Sequence, residues 1–318
     1  MPEPTAPRIA AIVPCHNEEL AIAKVVSDLR AAVPEMTVYV FDNASTDRTV
    51  RVAEAAGAIV RHEYTKGKGN VVRRAFADID ADVYVLIDGD DTYATADLPA
   101  MIEALLTGPY DHVLGVRRET QVGAYRPGHE LGNKGFNWFV SGVFGSAVSD
   151  MLSGYRVFSR RFVKSFPALS REFEIETELT VHAMSLRVPQ IEVPVGFKDR
   201  PVGSESKLRT YHDGFRILSL IVGLIRHERP MLFYGITGTL LALLGLIIGM
   251  PVIVDFIATG LVPRLPTAIL AVGIVIVAFL SWTIGLVLDG VLKARREISR
   301  LNYLSHAAVS GTDEHHRG

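Results

Sequence analysis

Two hydrophobic rhythms divide this chain. Up to Val195, apolar residues come in short runs, each broken off by proline, glycine or a polar cluster; from Met231 they come in two long, almost uncharged stretches. Short runs rich in β-branched and aromatic side chains predict buried strands, and apolar positions recurring at steps of three and four predict helices packed on them. Arg8–Pro14, Thr37–Phe41, Ala58–Arg61, Asp82–Ile87, His112–Val116 and Gln190–Val195 read as strands. Glu18–Val33, Arg48–Ala56, Gly69–Ile79, Asp97–Leu106, Phe136–Phe144 and Glu176–Leu186 read as helices, with Gly57 placed to cap the second. Alternation of this kind predicts an α/β domain with a mostly parallel sheet. The polar, glycine-dotted stretch from Glu119 to Gly132 predicts a loop.

The second rhythm has a different physical origin. Met231–Ile257 and Leu265–Leu292 are both longer than the ~20 apolar residues needed to cross hydrocarbon. Asp255 and Asp289 sit near the ends of these runs, where a charge costs least, and Gly245 and Gly249 offer a small-residue face for close helix packing. Pro251 predicts a bend. Before them, Leu208, Tyr211, Phe215, Leu218, Val222 and Ile225 form one stripe of an amphipathic helix, suited to the membrane interface or to packing on the preceding domain. Arg226 and Arg229 flank one side of the pair and Lys293, Arg295, Arg296 and Arg300 the other, while the link between the runs carries only Arg264. The positive-inside bias then places both flanks and the N-terminal domain in the cytoplasm. The expected layout is an α/β domain over 1–207, a juxtamembrane helix over 208–229, a two-span hairpin over 230–293 and a basic, then disordered, cytoplasmic tail over 294–318.

Composition narrows the classes. A formal charge of −2 gives no reason to expect nucleic acid as partner. One cysteine, Cys15, excludes an intrachain disulfide and suits a reducing compartment. Met1 to Pro7 lacks the charged-then-apolar pattern of a signal peptide. Neither GxGxxG after the first strand nor a P-loop pattern is present.

Chemistry is expected where strands end, because ligands of open α/β sheets bind at the carboxyl edge. Three such ends are polar: Pro14-Cys15-His16-Asn17-Glu18, Asp42-Asn43-Ala44-Ser45 and Asp88-Gly89-Asp90-Asp91. Three carboxylates around one glycine repel one another unless a cation sits among them. A hard divalent ion such as Mg²⁺, which takes one or two carboxylates plus phosphate oxygens, suits them; a solvated acidic turn would read the same way. Lys66 and Lys68 add positive charge near a phosphate, or merely solvate their loop.

Read in order, VPCHNEE from Val13, FDNASTD from Phe41, KGKGN from Lys66 and DGDD from Asp88 resemble the family 2 glycosyltransferases of the GT-A fold. Asp150-Met151-Leu152-Ser153-Gly154-Tyr155-Arg156 resembles the D-x-x-S-G segment of their polyprenyl-phosphate branch. Arg200-Pro201-Val202-Gly203-Ser204-Glu205-Ser206-Lys207 resembles its R-x-x-G-x-S-K segment with one extra residue, and the paired C-terminal spans match bacterial members. The resemblance covers about Ile9 to Arg216. It implies an inverting transfer of a sugar from a nucleotide-sugar, UDP-glucose favoured and GDP-mannose open, to a polyprenyl phosphate, with undecaprenyl phosphate favoured. It implies Mg²⁺ or Mn²⁺ on Asp88 and Asp90, and a nucleotide-sugar pocket from Pro14, His16, Glu18, Asp42, Asn43, Lys68, Asp88, Gly89 and Asp90. His16 replaces a common tyrosine, and Asn43 stands where a second base-holding acid is usual. Arg117, Arg126, Asn133, Arg200, Ser206 and Lys207 are implied at the acceptor phosphate. Asp90, Arg117, Arg200 and Asp150 carry the catalytic expectation, Asp150 by steering or deprotonating the acceptor. A homo-oligomer stays open, and Glu174 and Glu176 read as structural helix-start acids.

Three rivals share parts of this pattern. D-x-D-x-T from Asp88 to Thr92 is also the nucleophile signature of haloacid-dehalogenase-like phosphatases. That reading leaves VPCHNEE and R-x-x-G-x-S-K unexplained. A processive polysaccharide synthase needs a Q-x-x-R-W segment, and neither Trp138 nor Trp282 lies in one. A non-catalytic, membrane-tethered nucleotide-sugar-binding protein would have no need of the intact DxD.

Overall fold

The computed structural model describes residues 6–119, 149–168, 175–198, 222–223 and 225–309. The chain divides into two compact units: Met1–Lys207 with Ile298–Gly318, and Leu208–Glu297.

Among the described residues the first unit is built on seven strands: β1 Ile9–Cys15, β2 Thr37–Asp42, β3 Ile59–His62, β4 Val83–Leu86, β5 His112–Glu119, β6 Arg156–Ser159 and β7 Gln190–Phe197. Their order across the sheet is β3-β2-β1-β4-β6-β5-β7. The pairs β1–β2, β2–β3, β1–β4 and β5–β7 are parallel, and only β6 runs against its neighbours β4 and β5. Helices cover both faces: α1 Ile22–Ala32, α2 Thr49–Ala55, α3 Lys68–Asp78, α4 Leu98–Thr107, α5 Arg160–Ser165 and α6 Ile175–Leu186.

Pleating sorts the core. On β1, Ile9, Ala11, Val13 and Cys15 join α1 (Ile22, Val25, Val26, Leu29) and α4 (Leu98, Met101, Leu105) on one face, while Ala10 and Ile12 join α3 (Val71, Val72, Phe76) and α6 (Ile175, Leu179) on the other. Because both faces are covered, the central strands are apolar throughout; β4 is buried at all four positions. Strands β1 to β3 are linked over one face and β3 reaches β4 over the other, so the order reverses between β1 and β4. That gap is the switch point at which ligands of such sheets bind.

The sequence reading needs corrections at several boundaries. The helix expected from Glu18 starts at Ile22, because the intervening residues are held by the neighbouring loop: the Glu18 amide donates to Thr49 Oγ1 at 2.8 Å and Glu19 accepts from Arg48 Nε at 3.1 Å. Strand β5 passes Val116 to Glu119, and β7 passes Val195 to Phe197, because they pair in parallel along their whole length. Strand β6 and helix α5 were not anticipated. The strand is buried on every residue and opens on a charged arginine, so it shows neither alternation nor a purely apolar run. The helix expected over Phe136–Phe144 and the stripe from Leu208 to Phe215 and Leu218 lie outside the described residues.

The second unit holds α7 Pro230–Thr259 and most of α8 Leu265–Leu304, each long and apolar enough to cross a membrane. They pack through small residues. A Cβ on Gly245 would lie 2.8 Å from Val275 and one on Gly238 2.6 Å from Trp282, so glycine lets the backbones approach. Trp282 Nε1 donates to the Gly235 carbonyl at 3.1 Å and Ser281 Oγ to that of Tyr234 at 3.0 Å. Pro251 lies within a helix that continues past it.

Helix α8 continues past the apolar run that ends at Leu292, as far as Leu304. Its last turns belong to the first unit. Arg300 donates to the Leu186 carbonyl at 2.9 Å, Asn302 to that of Lys164 at 2.7 Å, and the Tyr303 hydroxyl to buried Asp111, with the Arg161 guanidinium 4.8 Å over its ring.

Candidate active site at the carboxyl ends of β1, β2 and β4

Register brings the three polar strand ends together. Cys15 on β1 pairs with Asp42 on β2, and Ile12 with Leu86 on β4, so residues 14–18, 42–45 and 88–91 leave the sheet side by side. Gly89 lets the turn after β4 lie against β1, since a Cβ there would meet Cys15 Sγ at 2.5 Å. Burial pushes the Cys15 thiol well up, and the charges of Glu18, Asp42, Asp88 and Asp90 push it further. Four carboxylates thus act on one buried atom.

The three acids after β4 have separate surroundings. Asp88 pairs with Lys68 Nζ. Asp90, buried, accepts from the Thr92 hydroxyl at 2.6 Å and amide at 3.2 Å. Asp91, at φ +58°, turns to Lys198 at 2.7 Å and Lys24 at 3.2 Å. Asp88, held by Lys68, and Asp90, held by Thr92, are the two carboxylates at the D-x-D spacing, and among the described residues no group of three metal-ligating side chains occurs. Such a pair fits a divalent ion that completes its shell with phosphate oxygens and water.

Lys68 opens α3 after Gly67, whose φ of +124° only glycine adopts easily. Its side chain is 8% exposed, and its ammonium also meets Glu176 Oε1, at 2.6 Å. Burial would lower Lys68, but Asp88 and Glu176 outweigh it and hold the ammonium above the ordinary lysine range. Burial pushes Glu176 up against the pull of Lys68. Lys68 is charged, because two carboxylates replace its lost hydration. Glu176, read from sequence as a helix-start acid, is thus part of this site; its partner lies on another helix, and no local spacing could have flagged it.

Asn43 ties down a neighbouring loop. Its amide donates to the Glu63 and Thr65 carbonyls at 2.8 and 2.9 Å and accepts from the Gly67 amide at 2.7 Å. These bonds fix the loop that presents Lys68, and Asp42 is left as the acid at this edge, contacting the Ser45 amide at 3.2 Å and His62 Nδ1 at 3.4 Å. His16 is half-buried, with Nδ1 enclosed and, among the described residues, without a hydrogen-bond partner. Pro14 and Glu18 lie half-buried beside it.

The segment from Asp150 closes the other side. Ser153 donates to the Gly115 carbonyl at 2.6 Å, and fully buried Arg156 donates to the Ser153 and Met151 carbonyls at 2.9 and 2.7 Å and to Thr180 at 2.8 Å. Burial lowers Arg156 to about 10, against the charges of Glu176 and Asp150. This frame sets Gly154 on Asp88: a Cβ there would lie 2.4 Å from Asp88 Oδ2. It also sets Asp150 on Arg117, whose Nε and Nη2 donate to its two oxygens at 2.7 Å each, with the guanidinium 5.3 Å over Phe197. Tyr93, whose hydroxyl accepts from the Gly154 amide at 2.9 Å, is pushed up to about 12 by burial and by Asp88, against the pull of Arg117. Arg126, Asn133, Arg200, Ser206 and Lys207 lie outside the described residues.

A parallel α/β layer with a D-x-D pair at the β1/β4 reversal, followed by an antiparallel strand that returns a second loop to it, defines a GT-A-type domain. The signature described as "Glycosyl transferase family 2" matches residues 10–166. The glycosyltransferase AglJ of Haloferax volcanii is 35% identical over 237 residues, 74% of this chain and 78% of that protein. The undecaprenyl-phosphate mannosyltransferase of Micrococcus luteus is 30% identical over 222 residues, 63% of this chain and 87% of that one. Among solved structures, glucosyl-3-phosphoglycerate synthase from Mycobacterium tuberculosis in complex with UDP superposes with a TM-score of 0.57 at 23% identity, covering 69% of this chain and 79% of that one, which is a likeness of fold. The chain belongs to the family 2 glycosyltransferases.

Proposed function

We propose that this protein transfers a sugar, with inversion, from a nucleotide-sugar to a polyprenyl phosphate at the cytoplasmic face of a membrane, using Mg²⁺ or Mn²⁺ held by Asp88 and Asp90. The observation that carries the reading is the meeting of that carboxylate pair, a buried lysine and the Asp150–Arg117 pair around the β1/β4 reversal. The names of relatives support the acceptor: besides the Micrococcus luteus enzyme, a dolichyl-phosphate hexose transferase of Haloferax volcanii is 28% identical over 229 residues. The Mycobacterium tuberculosis synthase has been crystallised with Mn²⁺ and UDP-glucose, in keeping with a metal and with UDP-glucose as the favoured donor. The layout proposed is a transferase domain over 1–207, an interfacial helix over 208–229 and a hairpin anchor over 230–293.

The bound ion would neutralise the diphosphate as it departs. The chain's own groups do the rest. Asp42, with His16 and Glu18, lines the nucleoside end, and Asn43 acts through the loop it ties. Lys68 brings a fixed positive charge to the diphosphate end, where preorganised charge stabilises the transition state. Arg117 meets the acceptor phosphate, joined by Arg126, Asn133, Arg200, Ser206 and Lys207. A phosphate is already anionic near neutral pH and needs no strong base. Asp150, with both oxygens on Arg117, is then a positioning residue that aims the guanidinium.

The deciding assay offers nucleotide-sugars and polyprenyl phosphate with Mg²⁺ or Mn²⁺ to the full chain in detergent and looks for a glycolipid. Asp90→Ala should abolish turnover while the protein stays folded, and EDTA should do the same reversibly. Full activity under chelation would sink the metal assignment, and rapid phosphate release without acceptor would favour a phosphatase acting through Asp88.

A further inference from the structure

Lys68 stands between two carboxylates from opposite sides of the site, and only one of them belongs to the D-x-D pair. The second, Glu176, is 4% exposed and comes from the first turn of α6. Its Oε1 accepts from Lys68, while its Oε2 is enclosed and, among the described residues, lacks a hydrogen-bond partner. A buried carboxylate oxygen without a donor is costly, and it persists where something else reaches it at another stage. Among the described residues, the ammonium in contact with this carboxylate is that of Lys68, which has three donors and sits on a flexible stem.

Charge points the same way. Asp88, Asp90 and Glu176 set against Lys68 leave two negative charges, the complement of one divalent cation. Asp88 is 29% exposed on its side chain, so one side of it faces solvent while Lys68 covers the other. Gly154 closes over Asp88 Oδ2 and lies close to Lys68 Nζ, so the carboxylate cannot retreat to make room for both cations.

We propose that Lys68 and Glu176 form an exchange pair for the metal site: Lys68, bonded to both carboxylates, holds Asp88 in place without a cation, and Glu176 alone would retain the ammonium beside the diphosphate when a cation is held at Asp88. Glu176 is a positioning residue that acts through Lys68. The proposal rests on the metal-dependent transferase reading above and adds a residue and a step to it. No covalent bond is made or broken; the Lys68 contact to Asp88 would give way where a divalent ion is held.

The test is Mn²⁺ affinity of the full chain in detergent, read by electron paramagnetic resonance without nucleotide, for wild type, Lys68→Met, Glu176→Gln and the double variant, with thermal melting as the folding control. Partners behind a metal ligand commonly alter affinity about 10- to 100-fold. Lys68→Met should tighten Mn²⁺ by about tenfold, because the competing ammonium is gone. Glu176→Gln should weaken it by about tenfold, because Lys68 is left with Asp88 alone. In the Lys68→Met background the Glu176→Gln effect should vanish. Equal affinity in all four proteins, with only melting altered, would reduce the pair to a structural contact. A Glu176→Gln loss that persists without Lys68 would mean a direct field effect; either result overturns the exchange. If Lys68→Met does not fold, Lys68→Arg replaces it: a planar fork that grips both carboxylates should weaken Mn²⁺, and unchanged affinity would overturn the proposal. Should wild type and Asp90→Asn bind Mn²⁺ alike, the metal reading itself falls and takes the exchange with it.

Discussion

Gly154→Ala offers a sharp test of how the site is assembled. The added methyl carbon would lie 2.4 Å from Asp88 Oδ2, 2.9 Å from its Cγ and 3.0 Å from Lys68 Nζ. Carbon and oxygen normally approach to about 3.4 Å, so roughly 1 Å must be found. The backbone at 154 cannot easily supply it, because its amide is bonded to Tyr93 at 2.9 Å and the preceding Ser153 to Gly115 at 2.6 Å. Nor is Gly154 among the glycines at positive φ, so the methyl contact is the whole perturbation. Asp88 must therefore move. A 1 Å misplacement of a reacting constellation costs on the order of 10²-fold in rate, about 2.7 kcal/mol of barrier. Overpacking adds about 1–3 kcal/mol of lost stability. Initial transfer rates with saturating donor and lipid phosphate, an Mn²⁺ titration and a melting curve separate the two effects. Gly108→Ala is the control: its Cβ would meet the Tyr110 ring at 2.5 Å, so it should lower the melting temperature without touching Mn²⁺ affinity. A Gly154→Ala protein with wild-type rate and Mn²⁺ affinity would refute the placement of this segment over Asp88.

Three further outcomes are expected. Asp150→Asn removes the charged partner from both Arg117 donors, and at about 1.5–3 kcal/mol for hydrogen bonds to charged groups the acceptor KM should rise roughly 10- to 100-fold while the pH–rate profile keeps its shape; a lost acidic limb would instead make Asp150 a base. Tyr303→Phe removes a hydrogen bond to buried Asp111, which keeps Arg161 at 2.6 Å, so thermal melting should show a loss of about 1–2 kcal/mol with transfer unchanged. His112 is fully buried, and burial, helped by the Arg156 charge, holds it well below its ordinary pKa. It stays neutral in the folded chain while the unfolded chain takes up a proton near pH 6.5, so stability should fall as pH drops below that value, by up to about 1.4 kcal/mol per unit. His112→Gln should flatten the slope, and an unchanged slope would assign it to other groups.

Much of the first unit was legible because its signals are local. Short apolar runs ending in His16, Asp42 or Asp88 mark strands that enter a core and leave it at a polar edge, and Gly57 and Gly67 mark turns at positive φ that side chains resist. Composition and run length also sufficed for the two long helices. Strand β6 was hidden because a strand buried on both faces loses its alternation, and because Arg156 looks like a surface residue until its three acceptors are in place.

The sequence by itself determined the alternating α/β layer, the polar strand ends, the acids around Gly89 and the apolar hairpin, because each depends on residues within a few positions of one another. Only the tertiary structure decided which charge faces which. Asp91 is taken by Lys24 and Lys198, Asn43 is spent on backbone, Asp150 is locked to Arg117, and Glu176 reaches Lys68 from another helix. Those pairings join segments far apart in the chain, and a side chain's partner is fixed by strand order and register, which no local periodicity encodes.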